Sequence, residues 1–206
     1  MLGRLAAALV FALALSLLLP PALAQGKPAD EGWIALFNGK DLQGWRAVGG
    51  AKWTVENGIL IGQQDNGKPG DLYTERTFRD FELRCTFKMV WPGNSGIWFR
   101  SKPEQGQLGY QMDILDKKEY GCTVGSVWSR GFLAKNTDES IVNLDGWNDV
   151  TITCRGNHIV VVLNGHKVAD ITNDRYAEGR IGLQVHAGDK YKNMKIMVKE
   201  MKIRPL

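Results

Sequence analysis

Two runs in the middle of the chain alternate apolar and polar residues one by one. In Gly96-Ile97-Trp98-Phe99-Arg100 and Tyr110-Gln111-Met112-Asp113-Ile114, successive side chains of an extended strand point to opposite sides. Ile97, Phe99, Met112 and Ile114 then go to a core, while Trp98, Arg100, Gln111 and Asp113 share the other face. The same period of two recurs elsewhere. Phe81, Leu83, Cys85 and Phe87 alternate with Glu82, Arg84, Thr86 and Lys88, and Val150, Ile152 and Cys154 repeat the pattern. Residues 159–163 and 166–171 flank Asn164-Gly165, a dipeptide suited to the positive φ angles of a type I′ hairpin turn. Runs over 181–186 and 196–203 close the series. No helical pattern of ten or more residues follows the N-terminal leader. The expected fold is all-β, one domain, with two antiparallel sheets stacked so that many one-faced strands bury their apolar sides together.

The leader is a separate feature. A basic start (Met1 to Arg4), an apolar run (Leu5 to Leu19) and Ala22-Leu23-Ala24 have the layout of a secretory signal peptide cut after Ala24. The expected organisation is signal peptide 1–24, polar linker 25–31 and a β-sandwich domain 32–206, secreted or periplasmic. The apolar run is short for a membrane span, and no second one follows it. The chain has 26 basic and 22 acidic residues. Removing Arg4 with the leader leaves 25 basic residues and a net charge of +3, too weak for a nucleic-acid partner. Three cysteines, Cys85, Cys122 and Cys154, allow at most one internal disulfide and lack zinc-cluster spacing. Cys85 and Cys154 fall on apolar phases and read as buried thiols.

The polar faces carry the candidate chemistry. In 181–186 the apolar phase is Ile181, Leu183 and Val185, which leaves Gln184 and His186 opposite; Trp128 lies opposite Val127. If these strands share a sheet with the first two runs, one face presents Trp98, Arg100, Gln111, Asp113, Trp128, Gln184 and His186. Aromatic rings beside convergent hydrogen-bonding groups are how proteins hold sugars.

Several motifs then follow in a specific order. Gly32-Trp33-Ile34-Ala35-Leu36-Phe37-Asn38-Gly39-Lys40-Asp41-Leu42-Gln43-Gly44-Trp45 opens the series. Trp53-Thr54-Val55-Glu56-Asn57-Gly58-Ile59-Leu60, Asp80-Phe81-Glu82-Leu83, Asn94-Ser95-Gly96-Ile97, Trp147-Asn148, Leu163-Asn164-Gly165 and Ile181-Gly182-Leu183-Gln184 with His186 continue it, and Ile203-Arg204-Pro205-Leu206 ends it. Together they resemble the 3-keto-disaccharide hydrolase family, whose members are also described as 3-keto-glucoside lyases and 3-keto-2-hydroxy-glucal hydratases. The resemblance implies a concanavalin A-like jelly-roll sandwich whose concave sheet acts on glycosides oxidised at C3. A C3 ketone acidifies the C2 proton; a base removes it, the C1 substituent leaves, and water adds to the enone. Such chemistry needs a base near C2, a donor or cation at the enolate oxygen and an acid for the leaving group.

Roles follow as expectations. His186 is the leading base or acid, because imidazole as a side-chain type titrates near neutrality. Arg100 stabilises the enolate or ketone oxygen, and Asp113 orients Arg100 or takes the proton. Gln111 and Gln184 bind hydroxyls, Trp98 and Trp128 stack on a ring, and Asn94 and Tyr110 are outer contacts. No cofactor is firmly assigned, and a divalent metal stays open as an alternative, with His186 and Asp113 as two separated ligands. The chain also departs from the family pattern. Many members have Glu at position 111 and Gln at 113, residues 189–195 look inserted, and Glu200 stands where Asn is common. A lectin-like module without catalysis stays open on this fold. A conventional glycoside hydrolase is disfavoured, because Gln111 puts an amide at the nucleophile position of Gln111-Met112-Asp113-Ile114-Leu115-Asp116. Oligomeric state is not indicated.

Overall fold

The structure is a computed structural model that describes residues 32–206 apart from Gln107; the expected signal peptide and linker lie outside the described residues. The strands in chain order are β1 (Ile34–Ala35), β2 (Trp45–Gly49), β3 (Lys52–Glu56), β4 (Ile59–Gln63), β5 (Gly70–Thr74), β6 (Phe81–Val90), β7 (Asn94–Lys102), β8 (Leu108–Leu115), β9 (Val127–Trp128), β10 (Phe132–Ala134), β11 (Asn148–Arg155), β12 (His158–Leu163), β13 (His166–Thr172), β14 (Arg180–Val185) and β15 (Lys195–Pro205). A helical turn α1 (Lys117–Tyr120) and two 3-10 turns complete the elements. Among the described residues, no helix is long and apolar enough to cross a membrane.

The alternation in the sequence becomes two antiparallel sheets packed face to face, the jelly-roll sandwich expected. The back sheet runs β13-β12-β11-β6-β15-β4-β3, with β1 on β15; the front sheet runs β10-β9-β8-β7-β14-β5-β2. Phe81, Leu83, Cys85 and Phe87 of the back sheet, and Ile97, Phe99, Met112, Ile114, Ile181 and Leu183 of the front sheet, belong to one buried core. Burying such side chains is worth about 1.5–3 kcal/mol each. The Asn164-Gly165 hairpin forms as predicted: both residues have positive φ, 48° and 84°, and Leu163 pairs with His166. All three cysteines are buried and unpaired. Burial pushes the Cys85 and Cys154 thiols up, which disfavours the reactive thiolate.

Alternation fails at one informative place. Between Phe99 and Lys102 the β7–β8 register shifts, and Arg100 takes a left-handed φ of 48°. A bulge of this kind re-aims a side chain that strict period two would send to the opposite face.

Candidate functional site

The outer face of the front sheet is ordered by register. Trp128 pairs with Gln111, Gln111 with Trp98, Trp98 with Gly182, and Gly182 with Tyr73. These residues therefore form one row across five strands. Asp113 pairs with Gly96, and Gln184 with Asp71. Two glycines clear the floor. A Cβ on Gly96 would lie 2.6 Å from Cγ, Cδ and Nε2 of Gln111, and one on Gly182 would lie 2.4 Å from Cδ1 of Tyr73. Gln111 and Tyr73 can thus lie down on the sheet. Gly96→Ala is expected to lift the Gln111 amide at a stability cost of about 1 kcal/mol, because a side chain rather than backbone must give way. The denaturation midpoint in urea should move little, which unfolding of the variant beside the wild type checks.

A cavity of about 300 Å³ opens over this row, and Asn94, Trp98, Gln111, Asp113, Trp128, Gln184 and His186 all border it. Seven of the nine site residues expected from sequence are therefore brought together. Trp98 is only 2% exposed; its indole N–H donates to Asp71 at 3.1 Å, and its ring meets Trp128 edge to face at 6.3 Å. The half-buried Trp128 offers the more accessible ring, while Trp98 braces the floor.

Asp113 is 5% exposed, and its backbone is held by Ser126 and Gly125. Burial alone pushes its carboxyl well above the ordinary aspartate range, since desolvation disfavours the charged form and, among the described residues, no cation or hydrogen bond offsets it. Beside it in the cavity, Nε2 of Gln111 is buried without a hydrogen-bond partner among the described residues. His186 Nδ1 lies 2.8 Å from the Ala187 carbonyl. A carbonyl only accepts, so this contact requires Nδ1–H and leaves the lone pair of neutral imidazole on Nε2. Gln64 fixes the turn by donating to the carbonyls of His186 (2.8 Å) and Gly188 (3.1 Å).

Of the rim, the sequence offers Asn94 alone. Asn94 Nδ2 donates to the Tyr120 hydroxyl at 2.8 Å, which lies 3.2 Å from the Tyr191 hydroxyl; Tyr191 donates to Glu119 at 2.6 Å, and Lys190 donates to the same Glu119 oxygen. Tyr191 comes from the segment at 189–195 and meets the His186 ring edge to face at 5.8 Å. Burial, then the Glu119 carboxylate, raises the Tyr191 phenol. This chain ties the last connection before β15 to α1 and to the cavity. Among the described residues, no group of three or more His, Cys, Asp or Glu is gathered closely enough to hold a metal ion.

Two expected residues lie elsewhere. Arg100 is 1% exposed, and its Nε donates to the Arg79 carbonyl (2.8 Å), one terminal nitrogen to the Tyr176 carbonyl (3.2 Å) and the other to Asp80 (3.0 Å). The bulge, which sequence alternation does not announce, has turned it away from Asp113. Tyr110 pairs with Phe99 on the core phase, stacks on that ring at 5.4 Å and donates its hydroxyl to Asn173 at 2.7 Å. Removing one partner of such a buried pair leaves the other groups unsatisfied, so Arg100→Ala should cost about 2–4 kcal/mol in urea unfolding.

Asp71 and Tyr73 also escaped the sequence reading. They alternate with Leu72 in β5, a period-two signal that was present but only five residues long.

Residues 32–197 match the sequence profile of the 3-keto-alpha-glucoside-1,2-lyase-like domain. A 3-keto-disaccharide hydrolase of Bacteroides thetaiotaomicron is 37% identical over 100 residues, covering 43% of this chain and 34% of the relative; the chain thus spans about a third of that protein's length. Among solved structures, a candidate glycosyl hydrolase of Parabacteroides distasonis superposes with a TM-score of 0.64 at 19% identity, over 85% of this chain and 94% of the other. A Bacillus subtilis protein of unknown function with a galectin-like fold gives 0.65 at 14% identity, over 84% and 94%. At these identities the superpositions speak to the fold.

Proposed function

The chain belongs to the 3-keto-alpha-glucoside-1,2-lyase-like domain family, and on that premise we propose that it cleaves or hydrates 3-keto-glucosides on the outer face of the front sheet. The observation that carries the proposal is one cavity holding a buried carboxyl raised by desolvation (Asp113), a buried amide donor without a partner among the described residues (Gln111) and an imidazole with its Nε2 lone pair available (His186). These are the acid, the oxyanion donor and the base that elimination requires.

His186 Nε2 takes the C2 proton, and the C2–H electron pair becomes the enolate delocalised onto the C3 oxygen, which Gln111 Nε2–H stabilises. The C1–O bond breaks, its electron pair leaves on the glycosidic oxygen, and the Asp113 carboxyl protonates that oxygen. Water then adds to C1 of the enone and a proton returns to C2, for a net hydrolysis to 3-keto-glucose. Gln184, Asn94 and Trp128 hold the ring. Arg100 has no part in this scheme, because it is consumed by Arg79, Tyr176 and Asp80; Gln111 supplies the donor in its place. The signal-peptide-like leader supports export, so that the sugar is met outside the cytoplasm.

The test is incubation of the purified chain with a 3-keto-glucoside, with and without added divalent metal, following release of 3-keto-glucose. Release by the wild type supports the enzyme. Sugar binding with no release under either condition supports a lectin-like module instead.

A further inference from the structure

His186 follows the last residue of β14, where the chain turns, and its ring is only half-buried. Its Nδ1–H reaches no further than the carbonyl of the next residue, Ala187, and Gln64 holds the backbone of the turn rather than the ring. The other contact on the imidazole is the ring of Tyr191, edge to face at 5.8 Å with an interplanar angle of 85°. We propose that Tyr191 is a positioning residue for the base: its ring is a fixed wall that keeps the imidazole in one orientation, with Nε2 turned to the cavity. The proposal rests on the reading of His186 as the group that removes the C2 proton.

Three observations carry it. Tyr191 is fixed at both ends. Its backbone N–H donates to the Gly188 carbonyl at 3.0 Å and its carbonyl accepts from Met194 at 2.9 Å, while its hydroxyl donates to Glu119 at 2.6 Å. Lys190 donates to the same carboxylate and sets its ammonium 5.6 Å from the centre of the Tyr191 ring. The ring also lies against the turn that carries the base: a Cβ on Gly188 would sit 3.7 Å from Cδ2 of Tyr191, and Gly188 has a φ of 115°, which a side chain rarely adopts. Finally, Tyr120 borders the cavity and Tyr191 does not, so Tyr191 acts on the base and not on the sugar. A general base must come within about 2.6–3.2 Å of the proton it takes, and a misplacement of about 1 Å can cost roughly 10²-fold in rate. A half-buried ring tied only to its own neighbour needs such a wall.

The test compares Tyr191→Leu, Tyr191→Phe and Glu119→Gln in kcat and KM on a 3-keto-glucoside, beside the NMR resonances of the His186 ring. The chain has three histidines. His158 and His166 lie on the back sheet and serve as references, and His186→Ala assigns the third. Tyr191→Leu removes the wall, so kcat should fall roughly tenfold to hundredfold with KM within about twofold, and the His186 resonances should lose the ring-current displacement while the references stay. Tyr191→Phe keeps the ring and Glu119→Gln keeps all but the charge of its anchor, so each should lower kcat only about threefold to fivefold, the worth of one hydrogen bond. A folded Tyr191→Leu with the wild-type kcat, or with its loss in KM, overturns the positioning role and leaves His186 as the base. Equal losses in the Phe and Leu variants overturn it as well, since the ring is then not what acts. Should Tyr191→Leu fail to fold, Glu119→Gln decides: the fall in kcat at unchanged KM with a shifted His186 resonance keeps the role, and wild-type behaviour discards it. No release of 3-keto-glucose by the wild type overturns the reading of His186, and this role with it.

Discussion

Asp113→Asn should make the protein more stable and nearly inactive. The carboxyl is buried at the floor of the cavity and nothing but desolvation acts on its titration, so the folded state binds its proton more tightly than the unfolded chain does. Between the ordinary carboxylate value of about 3.9 and the raised one, the folded state keeps a proton that the unfolded state has released. Asp113 therefore subtracts stability progressively as pH rises through that window, and by a constant amount above it. An amide has nearly the same shape and no charge to bury. At a pH above the window, Asn should add about 1 kcal/mol or more, a rise in Tm of roughly 2–4 °C for a domain of this size. The downward slope of stability attributable to Asp113 should vanish. Turnover should fall by roughly 10²–10⁴, the worth of a positioned general acid, and the alkaline limb of the wild-type rate profile should disappear with it. Thermal unfolding across pH, beside kcat on a 3-keto-glucoside, reads both effects. A variant that loses stability, or keeps its rate, contradicts the role given to Asp113.

His186→Ala should be at least as costly to turnover, by roughly 10²–10⁴, with little change in unfolding. The ring is only partly buried and its one hydrogen bond is to its neighbour's carbonyl. The backbone contacts that Gln64 makes to this turn do not involve the ring. The loss should appear in kcat for good and poor leaving groups alike, because proton removal from C2 precedes departure of the C1 substituent. Circular dichroism and urea unfolding of the variant, beside steady-state rates, separate loss of the base from loss of the fold.

The fold was legible wherever a strand keeps one face in the core. Long runs such as β6, β8 and β14 announce themselves because a slip of one residue would expose a whole apolar set, and from them the faces of Gln111, Asp113 and Gln184 followed correctly. Arg100 was misplaced for a local reason: a bulge with a left-handed residue resets the phase, and no composition signal marks it when that residue is not glycine. Tyr110 shares the phase of Met112, so period two itself assigns it to the core. Tyr120 and Tyr191 come from connections at two edges of the cavity, 71 residues apart in sequence, and only the folded chain brings such groups together. Asp71 and Tyr73 were within reach, since the short alternation of β5 carries them onto the same face as Gln184.

The central claim is that the cavity bordered by His186, Gln111 and Asp113 removes the C2 proton of a 3-keto-glucoside. Its most direct test is to run the reaction in D₂O and read C2 of the released 3-keto-glucose by NMR at early times. Elimination followed by hydration predicts one solvent deuteron at C2 in each molecule formed by the wild-type protein. Released sugar that retains its original C2 proton would contradict the account.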